Sequence, residues 1–273
     1  MKKTAERFGL AIAGTLVVAL SCYGLARAYL YYEAARAEHM MRELGDVKIG
    51  DPESQVLAIL QRYGNYRKAP EDLAKFDKAD YEYEAEIGPS GIYYFIDRGS
   101  TGMFCRMTRA VLSSLNPRLR RAIGLRRWSV DGRVGIKENS VTIVRGMVLV
   151  EGSREWLAGD WTLAKTIPRY AIDRFVTSPG VSWPHDVNHY LVGWSRLIAM
   201  ENQNGGGEGA SSWITPSATE DEKRSALEFR WNCLTSRSGC RTVCDLFPAA
   251  VEYASTGTWK ERREACTAPR SYY

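Results

Sequence analysis

Histidine is scarce in this chain. Its 273 residues hold three, His39, His185 and His189, which leaves little imidazole for metal binding or acid–base chemistry. The six cysteines form none of the Cys-x2-Cys pairs of zinc ribbons. No Gly-x-Ser-x-Gly elbow presents a nucleophilic serine. The run Gly205-Gly206-Gly207-Glu208-Gly209 lacks the Lys-Ser/Thr that completes a phosphate-binding loop, and it reads as a flexible loop within 203–212. The most telling absence is of charge: Phe8 to Ala26 is nineteen residues with no Asp, Glu, Lys or Arg.

As a helix that stretch is about 28 Å long, close to the roughly 30 Å hydrocarbon core of a bilayer. A helix can cross alone because its backbone bonds are internal. Lys2, Lys3 and Arg7 precede it, and Tyr29, Tyr31 and Tyr32 follow it as interfacial aromatics. We read 8–26 as an uncleaved transmembrane signal-anchor, with residues 1–7 a short cytoplasmic tail. A lipoprotein signal ending at Cys22, or simple cleavage near Ala26 or Ala28, are the competing readings. The brief basic tail and the long C-terminal region favour a cytoplasmic N-terminus and an extracytoplasmic domain.

A composition 45% hydrophobic and 25% charged excludes wholesale disorder. The net charge of +5 selects no partner by itself, and nucleic acid is not an expected ligand of an exported domain. Residues 27–45 are good helix formers that carry the helix out of the membrane until Gly45. Residues 46–273 then form an α+β domain with a largely antiparallel sheet. Asp51-Pro52 predicts a helix start, Val56, Leu57, Ile59 and Leu60 its apolar face, and Gly64 its stop.

Strands are expected at 80–87, 92–97, 125–130, 133–137, 141–144, 147–150 and 161–167. The pair Asp131-Gly132 marks a hairpin turn and Gly146 a bulge. Helices are expected at 102–115, from Pro117, and over 184–202. Alternation in Ser225 to Cys233 predicts a half-buried strand. Cys240 and Cys244 would then share a short helix that ends near Pro248.

Gly50, Ser54, Val56, Leu60 and Gly64 follow the pattern of a helix entry, and this segment resembles BamE/SmpA-like and beta-lactamase-inhibitor-like envelope modules. The proline that often follows the last glycine is replaced by Asn65-Tyr66. The resemblance covers some 16 residues around Gly50–Gly64 and implies a small envelope module, helices against an antiparallel sheet, that binds proteins.

Three constellations could carry chemistry. His185 and His189, four apart on the expected helix, could grip zinc and make a metal-dependent hydrolase. Asp186 stands where the general-base Glu of that motif belongs, and Glu201 or Glu208 would have to supply a third ligand. The competing reading is a pair of solvent-facing histidines.

The second constellation is a basic run at 106–137: Arg106, Arg109, Arg118, Arg120, Arg121, Arg126, Arg127, Arg133 and Lys137 are opposed by Asp131 alone. It offers a surface for anionic lipid or an envelope polymer, with Arg118, Arg120, Arg121, Arg126 and Arg127 at its centre. The third is Cys233, Cys240, Cys244 and Cys266, candidates for one or two disulfides in an oxidising compartment. The sequence leaves their pairing open and points to no bound cofactor. It favours a binding or structural role, that of an anchored envelope protein whose expected partners are the bilayer and another envelope protein.

Overall fold

A computed structural model describes residues 2–63, 66–69, 79–88, 116–152, 156–166, 190–197 and 207–248. Lys2–Gly45 is one continuous helix of 44 residues, α1, that ends at the expected glycine. Its two halves differ in what they touch. Leu10, Ile12, Leu16, Val17, Val18, Leu20 and Leu25 are exposed, whereas Leu30, Ala34, Ala37, Met40, Met41 and Leu44 are buried. The buried set recurs every three or four residues, the signature of one helix face turned to a core. The exposed half makes α1 long and apolar enough to cross a membrane.

The fold is α+β. Seven strands form one mixed sheet in the order β1-β2-β3-β4-β5-β7-β6: β1 (Tyr66–Ala69), β2 (Tyr81–Ile87), β3 (Trp128–Lys137), β4 (Ser140–Glu151), β5 (Trp156–Ala164), β6 (Tyr190–Leu197) and β7 (Gly207–Ile214). The first five neighbours pair antiparallel. β7 lies parallel to β5 and antiparallel to β6, so the sheet is largely antiparallel, as expected, and mixed through the β5–β7 pairing. α2 (Glu53–Tyr63) precedes the strands, and α3 (Pro117–Ala122), α4 (Glu220–Leu227), α5 (Asn232–Thr235) and α6 (Val243–Leu246) lie between and after them.

One sheet face receives α1. Gly132 of β3 and Gly146 of β4 are cross-strand partners, and together they leave a trough without side chains. A Cβ on Gly146 would fall on Met41 Cε and within 2.6 Å of the Trp161 ring, and one on Gly132 would collide with Leu44 Cδ1. Trp128 and Trp161, both fully buried, wall the trough with Val130, Val134, Val144 and Val148. The second half of α1 therefore belongs to the same core cluster as the sheet, α2 and the C-terminal helices.

Several sequence expectations change. Asp131-Gly132 is no hairpin turn, because β3 runs straight through it. The turn is Glu138-Asn139, both at positive φ (52° and 61°), a two-residue connection whose twist suits a hairpin. Gly146 is no bulge but a close-approach site, and the register shifts instead between Gly135 and Ile136. The strand expected at 161–167 lies earlier, as β5. The α2 helix starts at Glu53, where Asn139 O accepts from the Glu53 N–H at 2.9 Å; the hairpin tip thus caps this end. Asp51 Oδ2 instead accepts from Lys48 N–H at 2.8 Å, and Pro52 makes a bridge with Ser140.

The expected helix over 184–202 is contradicted at 190–197, which is strand β6. Tyr, Leu, Val and Trp there suit a pleated strand as well as a helix stripe, and pairing with β7 decides the matter. The flexible loop expected at 203–212 is replaced from Gly207 by β7, an inner strand between β5 and β6. The strand expected at 225–233 is also wrong. Thr219 and Glu222 form a capping box that starts α4, and the chain reaches Cys233 through α5. The segments 92–97 and 102–115 lie outside the described residues.

Two measurements follow. Gly146→Ala should destabilise the protein by about 1–3 kcal/mol through overpacking against the immobile Trp161 ring, read by denaturant unfolding in detergent. Gly14→Ala, where nothing lies within 4 Å of the added Cβ, should not destabilise it. A chain starting at Ala28 should unfold cooperatively, whereas one starting at Asp46 should not fold, because it lacks Leu30 to Leu44.

Candidate functional site

The arginine run does not form one surface. Arg106 and Arg109 lie outside the described residues. Arg126 is only 6% exposed and is consumed internally, donating to Glu151 O at 3.3 Å and Ser238 O at 2.8 Å. Burial holds its basicity below the usual arginine range, with Arg121 adding repulsion against the attraction of Glu151. Arg127 approaches the Glu151 carboxylate at 3.7 Å. Arg133 belongs to the opposite sheet face. Lys137 is exposed at the end of β3. Arg118 of α3 is exposed and Arg121 partly so; Arg120 lies on the same short helix.

The position of α3 is set by α1. Asn116 caps it, accepting from the Arg118 N–H at 2.9 Å. At its other end Tyr23 donates to Ile123 O at 3.0 Å and Arg27 to Gly124 O at 2.8 Å. Leu30 and Leu125 are buried together there, with Ala26 and Ile123 against them. This corner thus joins the last turn of the apolar stretch to the most basic loop of the chain. Sequence spacing could not reveal it, since the partners lie about a hundred residues apart.

On the sheet face away from α1, the register sets Glu84 opposite Arg133 and Glu86 opposite Asp131. The Arg133 guanidinium lies 3.0 Å from Glu84 Oε1 and 2.7 Å from Asp131 Oδ2. Asp131 is only 2% exposed. Burial, reinforced by the nearby Glu84 and Glu86 charges, pushes its carboxyl up to about 7 against the pull of Arg133. Burial alone would lower Arg133, but Asp131 and Glu84 outweigh it and raise its basicity. Asp160 accepts from the Ser211 hydroxyl further along the same face. The alternation of Glu82, Glu84 and Glu86 in β2 was the available sequence signal for an acidic stripe.

A second polar group joins α1 to α2. Tyr63 donates to Glu43 Oε2 at 2.9 Å, its hydroxyl lies 2.7 Å from His39 Nδ1, and Arg62 pairs with Glu43 at 3.0 Å. Burial first, then the Glu43 hydrogen bond and charge, raises the Tyr63 phenol above its usual range. The phenol stays neutral and serves as a donor between helices.

His185 and His189 lie outside the described residues, so their spacing on a helix carries no further argument. Among the described residues there is no group of three or more His, Cys, Asp or Glu able to hold a metal ion. Cys233 and Cys240 form a disulfide with Cα atoms 4.9 Å apart. Cys244, on α6, is also disulfide-bonded, and Cys266 lies outside the described residues. Cys240 precedes α6, so the two do not share a helix. Cys22 is free and exposed on α1.

No family model, curated protein or solved structure matches this chain.

The raised Asp131 carboxyl sets a pH dependence. Its folded value exceeds the usual unfolded one near 3.9, so between about pH 4 and 7 the folded state holds more protons than the unfolded state. This group's stabilisation is complete below pH 4 and is lost as pH rises through about 7. Denaturant unfolding across pH 4–8 should show that decline, and it should be shallower in Asp131→Asn.

Proposed function

We propose that this chain is a single-pass, membrane-anchored protein of the cell envelope whose α+β domain serves a binding or structural role. One observation carries the reading: the exposed apolar half of α1 continues without a break into a half that is part of the domain core. A separate tether would leave the domain free to tumble, whereas a shared helix fixes it at one height and rotation above the bilayer. That suits a module that presents a surface at the membrane. The small envelope modules resembled by residues 50–64 would play such a part.

The Cys233–Cys240 disulfide supports an oxidising compartment for the domain, and therefore a cytoplasmic N-terminus. Cys22 leaves room for a lipidated form, because Tyr23 and Arg27, which hold α3, follow it in the chain.

A C-terminal topology reporter combined with thiol alkylation tests the reading. The reporter should score as extracytoplasmic. Cys233, Cys240 and Cys244 should resist alkylation until reduced, while Cys22 reacts in detergent. A cytoplasmic C-terminus with all of these thiols reactive would remove the envelope assignment.

A further inference from the structure

We propose that α3 is a membrane foot, a surface that binds the headgroups of anionic phospholipids in the leaflet beside the domain. The proposal rests on the membrane-anchor reading above. Its first support is height. Tyr23 bonds Ile123 and Arg27 bonds Gly124, while the apolar stretch ends at Ala26. Tyr23 is thus only about 5 Å along the helix from that end, and the C-terminal end of α3 lies level with the edge of the hydrocarbon.

The second support is chemistry. Of the five arginines from Asn116 to Arg127, Arg126 and Arg127 are engaged with Glu151, whereas Arg118 is exposed and Arg121 partly so. Arg118 points its charge to solvent on a helix that also leaves Leu119 52% exposed. An exposed leucine beside an arginine at that height matches an interfacial helix, in which the apolar side chain enters the acyl boundary and the guanidinium meets phosphate.

The third support is an unbalanced cation. Arg27 is part-buried, and its bonds go to Gly124 O and to the Tyr31 hydroxyl at 3.0 Å, both uncharged. Its guanidinium also stacks over the Tyr31 ring. Exposed Arg237 lies close by, its Cα 3.2 Å from where a Gly124 Cβ would stand. Arg27 and Arg237 therefore flank Gly124 just beyond the C-terminal end of α3, Arg118 lies near the other end of that short helix, and among the described residues no carboxylate is bonded to any of the three. Lipid phosphate supplies that missing charge. An anionic polysaccharide would satisfy the arginines equally well but gives Leu119 nothing to enter.

The test uses the full chain in a Cys22→Ser background, labelled with a polarity-sensitive thiol dye at Leu119→Cys or Val18→Cys. The unsubstituted background protein, labelled in parallel, provides the blank. Vesicles of phosphatidylcholine, with or without phosphatidylglycerol, carry spin-labelled lipids that quench near the headgroups or deep in the acyl region. The dye at 119 should be quenched by the headgroup-level label in phosphatidylglycerol vesicles. That quenching should be lost in pure phosphatidylcholine, at high salt and in Arg118→Glu. Quenching at 119 indifferent to phosphatidylglycerol and to Arg118→Glu would overturn the anionic-headgroup assignment. Deep quenching at 18 with none at 119 would overturn the foot and leave the anchor standing. No quenching at 18 would overturn the anchor itself, and the foot with it.

Discussion

The packing of α1 into the Gly132–Gly146 trough is the contact on which the remaining structure depends. Two adjacent strands give up their side chains at one cross-strand pair, and Met41 and Leu44 enter the space. The close approach of helix and sheet backbones brings Trp128, Trp161 and the valines around them into contact with α1 from both sides. Interiors packed at this density tolerate little added volume. The same contact places α2, because Asn139 at the β3–β4 tip caps it while Tyr63 and Glu43 bind it to α1. The domain thus takes part of its core from the continuation of a helix whose first half is apolar and exposed.

The two faces of the sheet are held by different physics. The α1 face is apolar and closed by shape. The other carries Glu84, Asp131 and Arg133 in van der Waals and hydrogen-bond contact, with ionisable groups buried among strands. Such pairs contribute little net stability once desolvation is counted, but removing one partner leaves a charge without compensation. They favour a single register for β2 on β3, since a one-residue slip would carry Glu82, Glu84 and Glu86 to the apolar face and leave Arg133 without Glu84.

How much of this was legible in the sequence follows from what decides each element. The α1 helix, its end at Gly45, the apolar face of α2, the β2 strand and the start of α3 were readable because local composition and caps decide them. The 131–132 turn was misread because Asp-Gly is a strong local signal. Here Gly132 serves a contact with Leu44, more than eighty residues away, and tertiary packing overrides turn preference. The 190–197 segment was ambiguous by nature: a short apolar run fits a helix or a strand, and its neighbour β7 contains Gly207 and Gly209, two of the glycines that suggested a loop. At the candidate site the basic composition was visible, but not its division. Whether an arginine faces solvent, as Arg118 does, or disappears against Ser238 and Glu151, as Arg126 does, depends on chain segments that meet only in the fold.

The helix at the centre of the core is synthesised before the strands it packs against. Its partners in β3 and β4 come roughly a hundred residues later, so the contact that organises the domain has a long separation in sequence, of the kind that slows folding. Until the ribosome has released the chain past about residue 150, the face from Leu30 to Leu44 has no sheet to cover it. The burial of that face therefore waits on β3 and β4.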